Sequence, residues 1–206
     1  MRSLLKLLLV AVVIYKGYGY YQSQQGFDSE SDVVLYTMNN CQQHCEHARA
    51  LLARLEIRVE EVLVTADNPE LIQRHLRERM GDKFPLLVTP TDKVLDYNKA
   101  LYLSAIADNY GLDTLPKRLQ WPLNSHFDNG QPRWVMYGTQ WCPYCNKTRE
   151  IFKQYQVTLD ERDVEQSTKN KDKYRELAGT GYPLIYYGAK RLKGFDEKQI
   201  RKMLSL

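Results

Sequence analysis

The sequence predicts an α/β protein of two successive domains, each ordered β-α-β-α-β-β-α, behind an N-terminal hydrophobic segment. Three observations predict it. The chain resembles itself at an offset of about 100 residues, the mark of an internal repeat. Each copy sets a close pair of cysteines between an apolar, β-rich run and a segment with helical spacing. Each copy later has a proline that opens a second apolar run.

The elements follow in order. "VVLYTM" (33–38) and "WVMYGT" (134–139) are β-branched or aromatic and read as first strands. Cys45, Ala48, Leu51, Leu52 and Leu55 then repeat as Cys145, Thr148, Ile151, Phe152 and Tyr155, a stripe along one helix face. "IRVEEVLV" (57–64) and "VTLDERDV" (157–164) are second strands, followed by charged helices over Pro69–Met80 and Ser167–Leu177. "KFPLLVT" (83–89) and "GYPLIYY" (181–187) are third strands, and "KVLDY" (93–97) and "KRLKGF" (190–195) close the sheets. Last helices run over Asn98–Tyr110 and Asp196–Leu204. Alternating strands and helices imply right-handed crossovers and parallel pairs, while the short final turn makes the last two strands antiparallel.

The domains are therefore 31–110 and 132–206, joined by 111–131. That connector carries Leu112, Leu115, Leu119, Trp121 and Leu123, too apolar for a free linker, and is expected to pack on one or both domains.

With 206 residues, 43% apolar and 26% charged, the chain has globular composition. Its net charge is +4, and residues 1–22 contain Arg2, Lys6 and Lys16 with no acid, so the remainder is close to neutral. That gives no footprint for nucleic acid. "RHLRER" and "KNKDKYR" read as solvated helix faces.

Residues 1–22 read as a signal peptide or membrane anchor. A basic start precedes the unbroken apolar run Leu7–Tyr15, the layout of an export signal. "KGYGYYQ" lacks a small-x-small cleavage site, which favours an uncleaved anchor over residues 4–21 with Lys6 and Lys16 at its edges and tyrosines in the interface. A cleaved signal and a cytosolic amphipathic helix are the alternatives. Basic residues before the run put the body outside the cytoplasm, in a bacterial periplasm, anchored to the inner membrane by the N-terminus.

The four cysteines form two close pairs, which suggests local chemistry or metal rather than long-range staples. In "WCPYCN", Cys142 begins a helix whose unpaired N–H groups and positive dipole end favour the thiolate, the nucleophile of disulfide exchange. Cys145 lies within the first turn, where it can resolve a mixed disulfide, and Pro143 suits the first helical position. A zinc half-site needs a second cysteine or histidine pair, and a structural disulfide over so short a loop adds little stability. Pro85 and Pro183 are expected to be cis and close to the cysteine pairs.

At these residues the chain resembles the glutaredoxin family of the thioredoxin fold, through "CPYC" at 142–145, its strand–motif–helix context and the later proline. The resemblance covers 132–206 well and 31–110 weakly. It extends to periplasmic or membrane-linked glutaredoxin-like domains with a tryptophan before the motif, as Trp141 is here. It implies Cys142 as nucleophile and Cys145 as resolving thiol. Trp141 and Tyr144 would receive the partner, Tyr182 and Pro183 would offer backbone to a bound glutathione, and Gly194, Phe195 and Asp196 would hold its γ-glutamyl end. No bound cofactor or metal is implied, and glutathione would be a co-substrate.

The first copy differs. "NNCQQHCEH" (39–47) separates Cys41 from Cys45 by three residues, one more than the motif, and no proline caps its helix. Aligning strands pairs Cys41 with Cys142, and aligning helices pairs Cys45 with Cys145. Cys41 and Cys45 are a candidate second redox pair. A metal cluster with His44 and His47, or a degenerate docking domain, are the other readings.

The function expected is thiol–disulfide exchange on protein disulfides or glutathione mixed disulfides. A non-catalytic docking protein and a metal or iron–sulfur carrier are the alternatives.

Overall fold

Two four-stranded mixed sheets of the same topology organise the chain; the computed structural model describes residues 32–205 except 56, 66, 69, 71–82 and 193. In the first sheet, β1 (Val34–Met38) runs parallel to β2 (Glu60–Val64) and antiparallel to β3 (Leu86–Val88), which pairs with β4 (Lys93–Leu95). Helices α1 (Gln42–Leu52) and α2 (Lys99–Tyr110) belong to this copy. The expected charged helix over Pro69–Met80 and the N-terminal segment 1–22 lie outside the described residues. Among the described residues, no helix is long and apolar enough to cross a membrane.

Between the sheets, the connector is more structured than a linker. It holds a short helix α3 (Lys117–Gln120) and a two-stranded hairpin, β5 (Phe127–Asp128) with β6 (Gln131–Pro132). Asn129 and Gly130 turn the hairpin with φ of 48° and 80°, the left-handed pair that a two-residue loop requires. Leu115, Leu119 and Leu123 are buried, as expected of a packed connector. Trp121 departs from that pattern at 54% exposure, and the Lys173 ammonium sits 3.3 Å from its ring centre.

The second sheet places β7 (Trp134–Gly138) parallel to β8 (Asp160–Asp163) and antiparallel to β9 (Leu184–Tyr187), with β10 (Lys190–Leu192) outside β9. Its helices are α4 (Pro143–Gln154), α5 (Thr168–Glu176) and α6 (Glu197–Leu204). Ser167 and Asp196 cap α5 and α6 with their side-chain oxygens, each worth about 1 kcal/mol. The second and fourth strands are shorter than the sequence suggests. Asp96 and Gly194, at φ of 62° and 72°, end the extended runs after β4 and β10. Val157 and Leu159 pack into the core without joining β8.

The pairing registers match residue for residue. Leu35 faces Glu61 as Met136 faces Glu161, so Thr37 in β1 holds the position of Gly138 in β7. One tie recurs: Arg49 on α1 binds Glu61 on β2 at 2.6 Å, and Arg149 on α4 binds Glu161 on β8 at 2.7 Å.

The copies share one core. Tyr102, Leu103, Ala105, Ile106 and Ala107 of α2 cluster with Leu35 and Leu87 of the first sheet and with Leu184, Tyr186 and Ala189 of the second copy. Lys190 pairs with Asp108 at 3.0 Å across this seam. A buried polar chain fixes the connector to the second sheet. His126 Nδ1 lies 3.1 Å from the Gly188 carbonyl, its Nε2 lies 3.0 Å from the Tyr137 hydroxyl, and Arg162 donates to Tyr137 and Ser125.

Candidate active site: the Cys142 and Cys145 thiols

The strand β7 delivers the chain to the start of α4, where Cys142 is the N-cap in extended conformation with Pro143 beside it in the first turn. The cap interaction uses sulfur: the Cys145 N–H donates to Cys142 Sγ at 3.2 Å. A backbone N–H and the N-terminal end of a helix thus point at the sulfur.

Both thiols are free and buried, Cys142 at 3% exposure and Cys145 at 0%. Burial, then the hydrogen bond with Cys142, pushes the Cys145 thiol up to about 12. The Thr139 backbone and the Arg149 guanidinium act in the opposite direction. Cys145 is therefore held as a neutral thiol, fit to attack once Cys142 carries a partner.

Glycine at 138 makes room for this arrangement. A Cβ there would stand 2.7 Å from Cys145 Sγ.

Around the thiols the structure gathers most of the expected residues. Trp141 and Tyr144 are exposed at 64% and 53%, large aromatic faces presented to solvent. The Trp141 indole N–H donates to Glu165 at 2.9 Å, and its ring meets Tyr182 edge-on at 6.3 Å. Tyr144 stacks on Phe195 at 5.4 Å. Tyr182 packs in one cluster with both cysteines, and its bond to Pro183 is cis, as expected. Gly194 takes φ of 72° with open space where a side chain would be. The Asp196 carboxylate accepts from the Gln199 N–H at 2.9 Å, so it caps α6. A cavity of about 410 Å³ opens between the copies, walled by Asp92, Leu101, Asp108, Thr180, Arg191 and Gly194.

Arg149 and Glu165 were not singled out from sequence. Arg149 has a readable signal: it lies four residues after Cys145, on the same helix face. Glu165 has none, since it reaches Trp141 from across a loop.

The first copy has the same layout with different chemistry. Cys41 and Cys45 are joined in a disulfide with a Cα–Cα distance of 5.5 Å. The extra residue is absorbed at Gln42, whose φ is 43°. Phe84–Pro85 is cis, matching Tyr182–Pro183. His44 stands where the second copy has Tyr144, and it binds Asp96 at 2.5 Å. Among the described residues, no group of three or more His, Cys, Asp or Glu side chains is gathered to hold a metal ion.

A pair of thiols at a helix N-terminus, one capping the helix and the other buried and kept neutral behind it, defines a site of the thiol-oxidoreductase type. The family model described as Glutaredoxin matches residues 33–92 and again 134–192, more than half of the chain, so this chain is a member of the glutaredoxin family with that unit in tandem. It is 29% identical over 70 residues to an uncharacterized glutaredoxin-like 8.6 kDa protein in the rubredoxin operon of Clostridium pasteurianum, covering 34% of this chain and 93% of that protein. Among solved structures it is similar to a glutaredoxin from Archaeoglobus fulgidus (23% identity, 35% of this chain, 85% of that one, TM-score 0.32). A glutaredoxin from Methanosarcina mazei is also similar (22% identity, 39% and 99%, TM-score 0.33).

Proposed function

We propose that this protein is a thiol–disulfide oxidoreductase acting on protein disulfides or glutathione mixed disulfides through Cys142 and Cys145. One observation carries the reading: the Cys142 sulfur takes the N-cap hydrogen bond of α4 while Cys145 is buried as a neutral thiol behind it.

The step balances within this set. The Cys142 thiolate attacks one sulfur of the partner disulfide, that S–S bond breaks, and the partner leaves as a thiolate that takes a proton. Cys145 then loses its proton and attacks Cys142 Sγ. The second partner group departs as thiolate, and Cys142–Cys145 closes. The partner gains two electrons and the pair loses two.

The exposed faces of Trp141 and Tyr144, with Phe195 behind Tyr144, form the surface on which a partner peptide would lie. The open backbone at Gly194 and the strand-opening Tyr182–Pro183 suit a glutathione laid along them. The basic start and apolar run of residues 1–22 support a body held at the bacterial inner membrane and facing the periplasm.

Purified chain carrying Cys142→Ser should lose disulfide reductase activity. The Cys41→Ser/Cys45→Ser double variant should retain most activity on a small disulfide. Activity that survives loss of Cys142 and disappears with Cys41 and Cys45 would overturn the reading. Cys145→Ala should accumulate mixed disulfides at Cys142, which identify the partners. A reporter active only in the cytoplasm, fused after Leu206, should be silent; an active one would refute the periplasmic location.

A further inference from the structure

We propose that Cys41–Cys45 is a second redox centre, more reducing than the Cys142/Cys145 pair and entered at the Cys41 sulfur. The two pairs occupy equivalent places, after the first strand and at the start of the first helix, each copy having its cis proline. As at the second pair, the sulfur within the helix is sealed: Cys45 is 2% exposed. Cys41 is half-buried and is the sulfur a partner can reach.

The difference lies in what awaits each sulfur when reduced. Cys142 is an extended N-cap, φ −70° and ψ 118°, and its sulfur accepts the Cys145 N–H. Cys41 has φ −71° and ψ −14°, already helical, and makes no side-chain cap bond. An N-cap side chain reaches the helix N–H groups from non-helical backbone. The residue inserted at Gln42 thus removes the contact that stabilises a reduced sulfur.

The neighbouring histidine does not replace it. His44, beside Cys45, has its Nδ1 engaged with the Asp96 carboxylate at 2.5 Å. A pair whose reduced form is less stabilised is the better electron donor, as the range of CxxC potentials illustrates.

The exchange uses a dithiol as reductant. One of its thiolates attacks Cys41 Sγ, the Cys41–Cys45 bond breaks, and Cys45 leaves with the electron pair and takes a proton. The second thiolate of the dithiol attacks its own sulfur in the mixed disulfide and releases Cys41. The dithiol loses two electrons and the pair gains two. Once reduced, Cys41/Cys45 donates downhill to an oxidised Cys142–Cys145 pair.

A thiolate hydrogen bond contributes roughly tenfold or more to the exchange constant. The test equilibrates the full chain in graded ratios of reduced to oxidised dithiothreitol, quenches with acid, alkylates, and weighs the cysteine peptides. Cys142–Cys145 should reduce at ratios where Cys41–Cys45 is still closed, with midpoints at least about tenfold apart, or ~30 mV. Coincident midpoints, the reverse order, or a Cys41–Cys45 bond that opens only when the chain unfolds would overturn the proposal. Separately, Cys45→Ser should form a mixed disulfide at Cys41 with a small aromatic disulfide faster than Cys41→Ser does at Cys45. Equal rates would refute entry at Cys41.

Discussion

Replacing Gly138 by alanine should disable the resolving step while sparing the first attack. An added Cβ would lie 2.7 Å from Cys145 Sγ and 3.6 Å from its Cβ. Carbon and sulfur settle no closer than roughly 3.5–4 Å, so the sulfur must move by about 1 Å. Cys145 is fully buried, so the shift strains a filled site at a cost of about 1–3 kcal/mol. That lowers Tm by roughly 2–10 °C for a chain of this size. The kinetic effect is larger, because a misplacement of about 1 Å costs on the order of 100-fold in an intramolecular attack. The assay loads Cys142 with a chromogenic aromatic thiol and follows its release by Cys145. Release should slow by about 100-fold while loading changes by only a few-fold. Gly181→Ala is the control, since nothing lies within 4 Å of its added Cβ. Release by Gly138→Ala at an unchanged rate, with an unchanged Tm, would refute the reasoning. Thr37 holds this register in the first copy, so the room beneath Cys145 is particular to the second pair.

Three further outcomes are expected. His126 is buried and driven down from 6.5 to about 3, by desolvation first and then by the Arg162 charge. Its folded value lies below its unfolded one, so its contribution is complete above pH 6.5 and is lost as pH falls toward 3, reaching about 2 kcal/mol of lost stability by pH 5. A His126 NMR resonance that titrates near its ordinary value would contradict this. Cys145, held near 12, should be about 0.01% thiolate at pH 8 and should resist iodoacetamide in the reduced native chain; labelling as fast as an unfolded peptide would count against its buried state. Ala178 follows α5 at φ of 54°, so Ala178→Gly should stabilise by about 1 kcal/mol, and a lower midpoint in urea would speak against strain there.

Much of this fold was legible because strands and helices repeat their patterns. The stripe from Cys145 to Phe152 is buried as its spacing implies, and the caps at Asn98, Ser167 and Asp196 sit where the helices were expected to start. The Arg49–Glu61 and Arg149–Glu161 ties were not legible, although they repeat with the helices and second strands. Ion pairs between a helix and a strand have no local period to betray them. The connector hides more. Its Asn129–Gly130 turn announces a hairpin, but the burial of His126 depends on Gly188, 62 residues further on, as well as on Tyr137. The thiol site was readable in its motif, whereas the partnership of Trp141 with Glu165 is a product of tertiary structure.

The asymmetry of the two copies traces to one helix. α2 and α6 close equivalent positions, yet their sequences obey different rules. In α6, Ile200 is buried, Met203 and Leu204 are half-buried, and the other face is charged, which suits a helix packed on one side. In α2, the six residues from Tyr102 to Ala107 are all buried, which no single face can accommodate. A helix apolar all round must be covered all round. The second copy supplies the cover through Tyr186 and Ala189, and Lys190 reaches Asp108 at the rim. Burying one large aliphatic side chain contributes about 1.5–3 kcal/mol, so baring Leu103 and Ile106 of α2 would remove much of a typical domain's stability. The first copy is thus stabilised by the second.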